Sequence, residues 1–263
     1  MIDYHIHTPF CNHAKGSMIE FIESSIDKGL KEICFLDHLI LADNVEVPAM
    51  SLDEVELYFL SISELKRRYR KKIVIKSGLE VDFFEDKMDL IKDIIGKFDF
   101  DIVGGAVHFV KVDGALLNIA SGRALKSREN ISHEVIRSKY LEKLERMLDY
   151  DFLNMICHLD LIHRFKPSEK IGDFVRVLEK IKKKDLVVEI NTGGFGHINK
   201  VQYPSLEIIE LCYKLGIKVT IGSDAHSPID VGINYVKALA ILKSVGYKEI
   251  HLFNNGVASA VGI

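Results

Sequence analysis

The sequence predicts an α/β protein folded as one closed or nearly closed barrel of seven strand–helix units. Three observations carry that prediction. The length of 263 residues matches the roughly 250 residues of a single α/β barrel. Short runs rich in Val, Ile, Phe and Leu alternate strictly with helical patterns, so parallel strands joined by right-handed crossovers are expected. No linker, composition break or low-complexity stretch divides the chain, which makes residues 1–263 a single expected domain.

The strand candidates lie at residues 2–7, 32–37, 73–80, 101–108, 152–158, 186–191 and 218–223. Each is short and apolar throughout much of its length, as suits a strand buried on both faces. The first helix opens on Ser17-Met18-Ile19-Glu20, which has the Ser-x-x-Glu form of a capping box, and ends at Gly29. Ser51-Leu52-Asp53-Glu54 repeats that signal ahead of a longer helix running into the basic stretch 66–72. The remaining helical patterns cover 87–97, 129–148, 169–184, 204–215 and 231–245. Gly96, Gly216 and Gly246 stand near helix ends, where a left-handed residue is often needed, and Pro204 suits a first helical turn. The tail, 249–263, reads as a last short strand or a closing flap.

Composition narrows the function. Hydrophobic residues make up 48% and the formal net charge is −3, the balance of a well-packed globule. Nucleic-acid binding calls for clustered Lys and Arg. The two basic runs, 66–72 and 180–184, instead fall in the last turns of helices, where cations favour the negative end of the dipole. No apolar run reaches the ~18 residues of a membrane span, and a strand beginning at Ile2 leaves no room for a signal peptide. Cys11, Cys34, Cys157 and Cys212 show no Cys-x-x-Cys spacing and read as reduced thiols. The expected location is the cytoplasm, with neither nucleic acid nor membrane as a partner.

The chemistry is written at the strand ends. In an α/β barrel the working site lies where the strands end. His5 and His7 are two residues apart on the first strand, so their rings leave the same face and can chelate a zinc-like ion. Alone, such a pair reads more readily as two half-exposed surface histidines. The rest of the chain answers it: the second strand ends in Asp37-His38, the third in Glu80, the fourth in His108, the fifth in His158 and the seventh in Asp224, with His226 two beyond and His13 in the first loop. Nine ligand-type groups, His5, His7, His13, His38, Glu80, His108, His158, Asp224 and His226, therefore share one rim. One ion needs three or four protein ligands, so nine suggest two to three divalent ions, with Glu80 as a bridge and Asp224 neutralising part of the charge. Paired ions suit phosphate-ester hydrolysis.

Other histidines read differently. His133 and His251 lie away from strand ends, whereas His163 and His197 sit in rim loops as candidate substrate contacts. Gly104-Gly105 and Gly193-Gly194 lack the Lys-Ser/Thr of a phosphate loop and point to close backbone packing.

Taken together, several motifs resemble the PHP (polymerase and histidinol phosphatase) superfamily, specifically its histidinol-phosphate phosphatase branch. They are Asp3-Tyr4-His5-Ile6-His7-Thr8 with Cys11-Asn12-His13-Ala14, Phe35-Leu36-Asp37-His38, Gly78-Leu79-Glu80-Val81-Asp82, Ala106-Val107-His108-Phe109, Cys157-His158-Leu159-Asp160-Leu161, Glu189-Ile190-Asn191-Thr192 and Gly222-Ser223-Asp224-Ala225-His226-Ser227. The resemblance implies a distorted seven-stranded TIM-like (β/α) barrel. It places one ion on His5, His7, Glu80 and Asp224, a second on Glu80, His108 and His158, and a third on His13, His38 and His226. It also implies a metal-bridging hydroxide attacking phosphorus in line, converting L-histidinol phosphate to L-histidinol and inorganic phosphate in histidine biosynthesis. Asp37 then becomes either a partner that orients a histidine or a strand-end cap. Glu80, Asp224, His226 and Arg164 form the candidate catalytic set, with Arg164 placed to grip phosphoryl oxygens. The ions expected are zinc, with iron, manganese or cobalt as alternatives.

In one place the chain departs from the family. Where members carry an arginine in a Ser-Gly-Leu-Arg-like run, this sequence reads Asn191-Thr192-Gly193-Gly194-Phe195-Gly196-His197. His197 is the candidate replacement, supplying a weaker, pH-dependent charge. The alternatives are another small phosphate monoester as substrate, an amidohydrolase-type C–N hydrolase, a PHP-type nuclease, or a scaffold without chemistry. An amidohydrolase would carry a bridging lysine where this chain has His108, a nuclease would need a basic groove, and a scaffold would have lost ligands.

Overall fold

A computed structural model describes residues 1–42, 47–121, 131–164, 171–197 and 199–263. Seven of its strands pair side by side, and every neighbouring pair is parallel, as the alternation of apolar runs and helices predicts. In sheet order they are β1 (Ile2–Ile6), β2 (Glu32–Leu39), β3 (Val74–Asp82), β4 (Ile102–Ala106), β7 (Met155–Ile156), β8 (Val187–Asn191) and β9 (Lys218–Gly222). The first and last strands close the ring beyond their ladders. Ala225 and His7 bond through their backbones at 3.0 Å, and buried Asp3 accepts from Ser223 N at 2.8 Å and Gly232 N at 2.8 Å. The result is a nearly closed seven-stranded barrel.

The crossover helices among the described residues are α1 (Met18–Asp27), α2 (Val55–Tyr69), α3 (Met88–Ile95), α4 (His133–Met147), α5 (Val175–Lys183), α6 (Leu206–Lys214) and α7 (Tyr235–Val245). Both capping boxes form: Ser17 with Glu20, and Ser51 with Glu54 ahead of a one-turn entry into α2. The predicted first residues of α4 and α5, 129–130 and 169–170, lie outside the described residues. Two end signals work differently from expectation. Gly96 stays right-handed at φ −63°, because the chain winds one more tight turn through Lys97 and Phe98. Pro204 stands outside α6, whose N-cap is Ser205.

Two hairpins escape the alternation pattern. β5 (Phe109–Val112) and β6 (Ala115–Asn118) turn through Asp113-Gly114, and β10 (Glu249–Asn254) and β11 (Val257–Gly262) through Asn255-Gly256. All four turn residues have positive φ, the conformation a two-residue hairpin of this kind requires. The tail is thus neither a single strand nor a flap. It is a hairpin fixed to the barrel end where the strands start: Gly256 N donates to Asp101 O at 2.9 Å, Lys76 Nζ to Asn254 Oδ1 at 3.0 Å, and Phe253 N to Tyr4 Oη at 3.0 Å.

Cys34, Leu36 and His38 alternate along one face of β2, so the side chains that fill the barrel lead directly up to the site. Space inside is short. A Cβ at Gly104 would lie 2.6 Å from Cys157 Sγ, and one at Gly78 would lie 2.6 Å from Leu36 Cδ1. The expectation of close packing at Gly104-Gly105 holds. Overpacking a core costs about 1–3 kcal/mol, so Gly104→Ala is expected to lower the melting temperature by several degrees in a thermal scan. An unchanged melting temperature would show that the interior yields.

Candidate metal centre

Six of the seven barrel strands, all but β8, carry candidate ligands at or just past their C-terminal ends, and the barrel brings all nine sequence-predicted ligand residues into one cluster. His5 and His7 meet at Nε2 to Nε2, 3.0 Å apart. His7 Nε2 lies 2.9 Å from Asp224 Oδ1. Glu80 sits at the centre, 1% exposed. Its Oε2 is 2.7 Å from His38 Nδ1, 3.5 Å from His5 Nε2 and 3.8 Å from His7 Nε2, while its Oε1 is 2.7 Å from His158 Nε2 and 3.7 Å from His108 Nε2. Above them the His13 and His226 rings stand 4.6 Å apart, and the His7 and His226 rings 4.0 Å apart.

The far nitrogens of five of these seven rings are held from behind. His5 Nδ1 donates to Glu189 Oε1 at 2.6 Å, His108 Nδ1 to Asp82 Oδ2 at 3.1 Å, His13 Nδ1 to Cys11 O at 2.8 Å and His226 Nδ1 to Asp224 O at 2.9 Å. His7 Nδ1 faces Asp37 Oδ1 at 3.4 Å, and Asp37 also accepts from Thr8. Such bonds fix the tautomer that leaves the other nitrogen's lone pair free. Asp37 therefore stands as an orienting partner, one of the two roles expected of it.

The donors fit divalent ions. His226 Nε2, His38 Nδ1 and Glu80 Oε2 are buried without a hydrogen-bond partner, and the 2.7 Å approach of the last two lacks hydrogen-bond geometry. Unpaired buried donors and acceptors are costly unless a ligand engages them. Burial pushes His7 and His226 down to about 3, helped by neighbouring imidazoles, so both are neutral imidazoles able to offer a lone pair. Burial opposes the charge on Glu80 and Asp224 as well, but the surrounding histidines hold both carboxylates well below their usual range. At His5 and His158, burial is outweighed by carboxylates, Glu189 foremost at His5 and Glu80 at His158, which raise both. An ion held there would take the place of those protons.

A cleft of about 320 Å³ opens over this cluster. His13, His38, His108, His158, Asp224 and His226 form its floor, and Arg164 and His197 join from the rim. Arg164 ends a one-turn helix, Leu161–Arg164, whose last carbonyls accept from Asn199 Nδ2 at 2.6 and 3.0 Å. His197 corrects one expectation. It is half-buried, and burial together with the Arg164 charge lowers its pKa, so near neutrality it is an uncharged imidazole, with Nδ1 3.1 Å from Tyr203 Oη. It does not supply the positive charge of the missing arginine. His163 is not among the residues lining the cleft: it is buried, 3.3 Å from Asp160 and packed on Phe174.

Glu189 and Asp82 were given no role by sequence reasoning. Both lie two positions along a strand from another inward-facing polar residue, Asn191 or Glu80, and that period of two was the available signal.

The chain is similar in sequence and fold to known proteins. Histidinol-phosphatase of Bacillus subtilis is 29% identical over 262 residues, covering 89% of this chain and 96% of that protein. Histidinol-phosphatase of Lactococcus lactis is 27% identical over 263 residues, covering 96% and 94%. In fold, the chain superposes on the crystal structure of histidinol phosphate phosphatase from Lactococcus lactis, solved with zinc, L-histidinol and phosphate, with a TM-score of 0.83, 24% identity and 98% of each chain covered. The family model for the PHP domain matches residues 3–193, a stretch that contains seven of the nine clustered ligand positions, and the chain belongs to the PHP domain family.

Proposed function

We propose that this protein is a metal-dependent phosphomonoesterase that hydrolyses L-histidinol phosphate to L-histidinol and inorganic phosphate. The observation that carries the reading is the convergence of nine ligand side chains beneath a small cleft whose rim holds Arg164. Relatives named for this activity, matched over about nine-tenths or more of both chains, support the substrate. His5, His7, Glu80 and Asp224 would hold one ion, Glu80, His108 and His158 a second, and His13, His38 and His226 a third. Imidazole-rich donor sets favour zinc, with iron, manganese or cobalt also accommodated. Bound there, divalent ions acidify water at neutral pH and offset the charge that builds on the phosphoryl oxygens.

The chain's own groups do the rest. The ionised pair Glu80 and Asp224 balances cationic charge in a buried place, and neutral His7 and His226 present lone pairs without a proton to lose. Arg164 is read as the group that grips two phosphoryl oxygens at once. Ile40, Val47, Pro48 and Phe109 line the same cleft and form an apolar wall for the organic half of the ester. His197, uncharged, is read as a contact to that half. Residues 1–263 act as one catalytic domain. Four buried, unpaired thiols support work in the reducing cytoplasm; among the described residues no helix is long and apolar enough to cross a membrane.

The test is phosphate release by purified, metal-supplemented protein from L-histidinol phosphate, an aryl phosphate and a few sugar and nucleoside monophosphates. A preference in kcat/KM for histidinol phosphate of at least roughly 100-fold, about 2.7 kcal/mol of transition-state discrimination, is expected. Slow and equal cleavage of all the esters would overturn the assignment of substrate while leaving the metal chemistry in place.

A further inference from the structure

We infer that Glu189 is the positioning residue that sets two metal ligands from opposite sides of the barrel, and that Gly222 exists as glycine to give it room. The inference rests on the metal-site reading above and concerns how that site is held in register.

Glu189 is fully buried on β8. Its two oxygens serve different strands. Oε1 accepts from His5 Nδ1, on β1, at 2.6 Å. Oε2 accepts from the backbone N–H of His158, just past β7, at 2.8 Å. That second bond falls on a strained residue: His158 has φ +26°, a region non-glycine residues seldom occupy and keep only where surrounding structure enforces it. The turn is what carries the His158 ring inward to 2.7 Å from Glu80 Oε1 and over His5, ring centroids 5.9 Å apart. β7 itself has only two residues, Met155–Ile156; beyond it Cys157 N donates to Gly105 O at 3.0 Å and Leu161 N to His158 O at 2.9 Å, and the His158 N–H is left to Glu189. The arrangement extends to a third ligand. Asn191 Nδ2 lies 3.3 Å from Glu189 Oε2 and 3.3 Å from Asp224 Oδ2.

The space for this pair comes from β9. A Cβ on Gly222 would overlap Glu189 Oε1 and lie 2.5 Å from His5 Cβ. Gly222 has no positive φ, so conformational freedom does not explain it; the volume claimed by the His5–Glu189 pair does.

Glutamine at this position cannot do the work of the carboxylate. Its single oxygen can accept from His158 N–H or from His5 Nδ1–H. If it faces His158, the amide N–H₂ faces His5 and selects the tautomer protonated at Nε2, which removes the lone pair turned toward His7 and Glu80. If it faces His5, two donors oppose each other at the His158 turn. One ligand is misplaced in both cases.

The experiment titrates zinc into metal-free protein against a chromophoric chelator and records the absorption bands of the cobalt(II)-loaded form. Glu189→Gln is expected to weaken at least one zinc affinity by roughly 10–100-fold, the usual effect of losing a partner behind a ligand, and to shift the cobalt bands. The circular dichroism and melting temperature of the metal-free variant should stay near wild type. Unchanged affinities and bands would overturn the inference. Should Glu189→Gln not fold, Gly222→Ala keeps the carboxylate but intrudes on the pair, and wild-type metal binding in that variant would overturn the inference equally. Because the readout is metal binding, wild-type protein that takes up no zinc would instead sink the metal-site reading itself, and failure on histidinol phosphate alone would leave this inference standing.

Discussion

Glu80→Gln is expected to lower turnover of histidinol phosphate by roughly a thousandfold or more, with the circular dichroism spectrum unchanged. One carboxylate here lies within 4 Å of five imidazoles, those of His5, His7, His38, His108 and His158. Glutamine keeps the volume but removes the negative charge and turns an N–H₂ toward nitrogen lone pairs that need a cation between them and Glu80. Charge stabilisation by bound ions amounts to several kcal/mol, and each 1.36 kcal/mol is about tenfold in rate. The effect should exceed that of His38→Ala or His158→Ala, since each of those removes one ligand from one ion; both are still expected to cost orders of magnitude. Steady-state kinetics on the three variants checks the order. Near-normal turnover in Glu80→Gln would refute the site assignment.

Removing the metal should abolish activity and also loosen the fold. The cluster gathers His5, His7, Glu80 and Asp224 in the interior with unpartnered atoms at His38, Glu80 and His226, so the metal-free protein holds mutually repelling and unsatisfied groups in place at the expense of packing energy elsewhere. An ion at about 100 times its dissociation constant stabilises the native state by about 2.7 kcal/mol. In a chain of this size that corresponds to a rise in melting temperature of roughly 5–10 °C. Chelated protein, verified metal-free by elemental analysis, is expected to show no turnover and a lower melting temperature, with both restored by zinc or manganese. Full turnover in the metal-free state would remove the chemical basis of the proposed function.

Much of this was legible in the sequence because barrel strands end where chemistry begins. His5, His7, His38, Glu80, His108 and His158 each close an apolar run, so a one-dimensional pattern locates them on a three-dimensional rim. Less was visible where the same period of two continued inward. Glu189 sits inside an apolar run and reads as a solitary charge, and only the approach of β1 and β7 to β8 reveals what it faces. His197 misled because its type suggests a titrating cation, whereas its charge state is set by burial and by Arg164, neither of which the local sequence encodes. The two hairpins fall outside the strand–helix alternation, although Asp113-Gly114 and Asn255-Gly256 are strong turn signals. At Gly96 the residue type matched a left-handed cap, but the following turn stays right-handed, and the tertiary path decided it.

The closure of the barrel has a consequence for how the protein comes into being. His7 and Asp224 stand 2.9 Å apart in space and 217 positions apart in the chain. A nascent polypeptide that has presented its first six barrel strands still lacks Asp224 and His226, and with them the bonds from Asp3 that draw β1 against β9. Two of the three proposed ions would have an incomplete ligand set until the last strand docks. Complete loading of the proposed site would therefore wait until Asp224 and His226 have emerged and docked, and a translation product interrupted before them would compete poorly for scarce zinc.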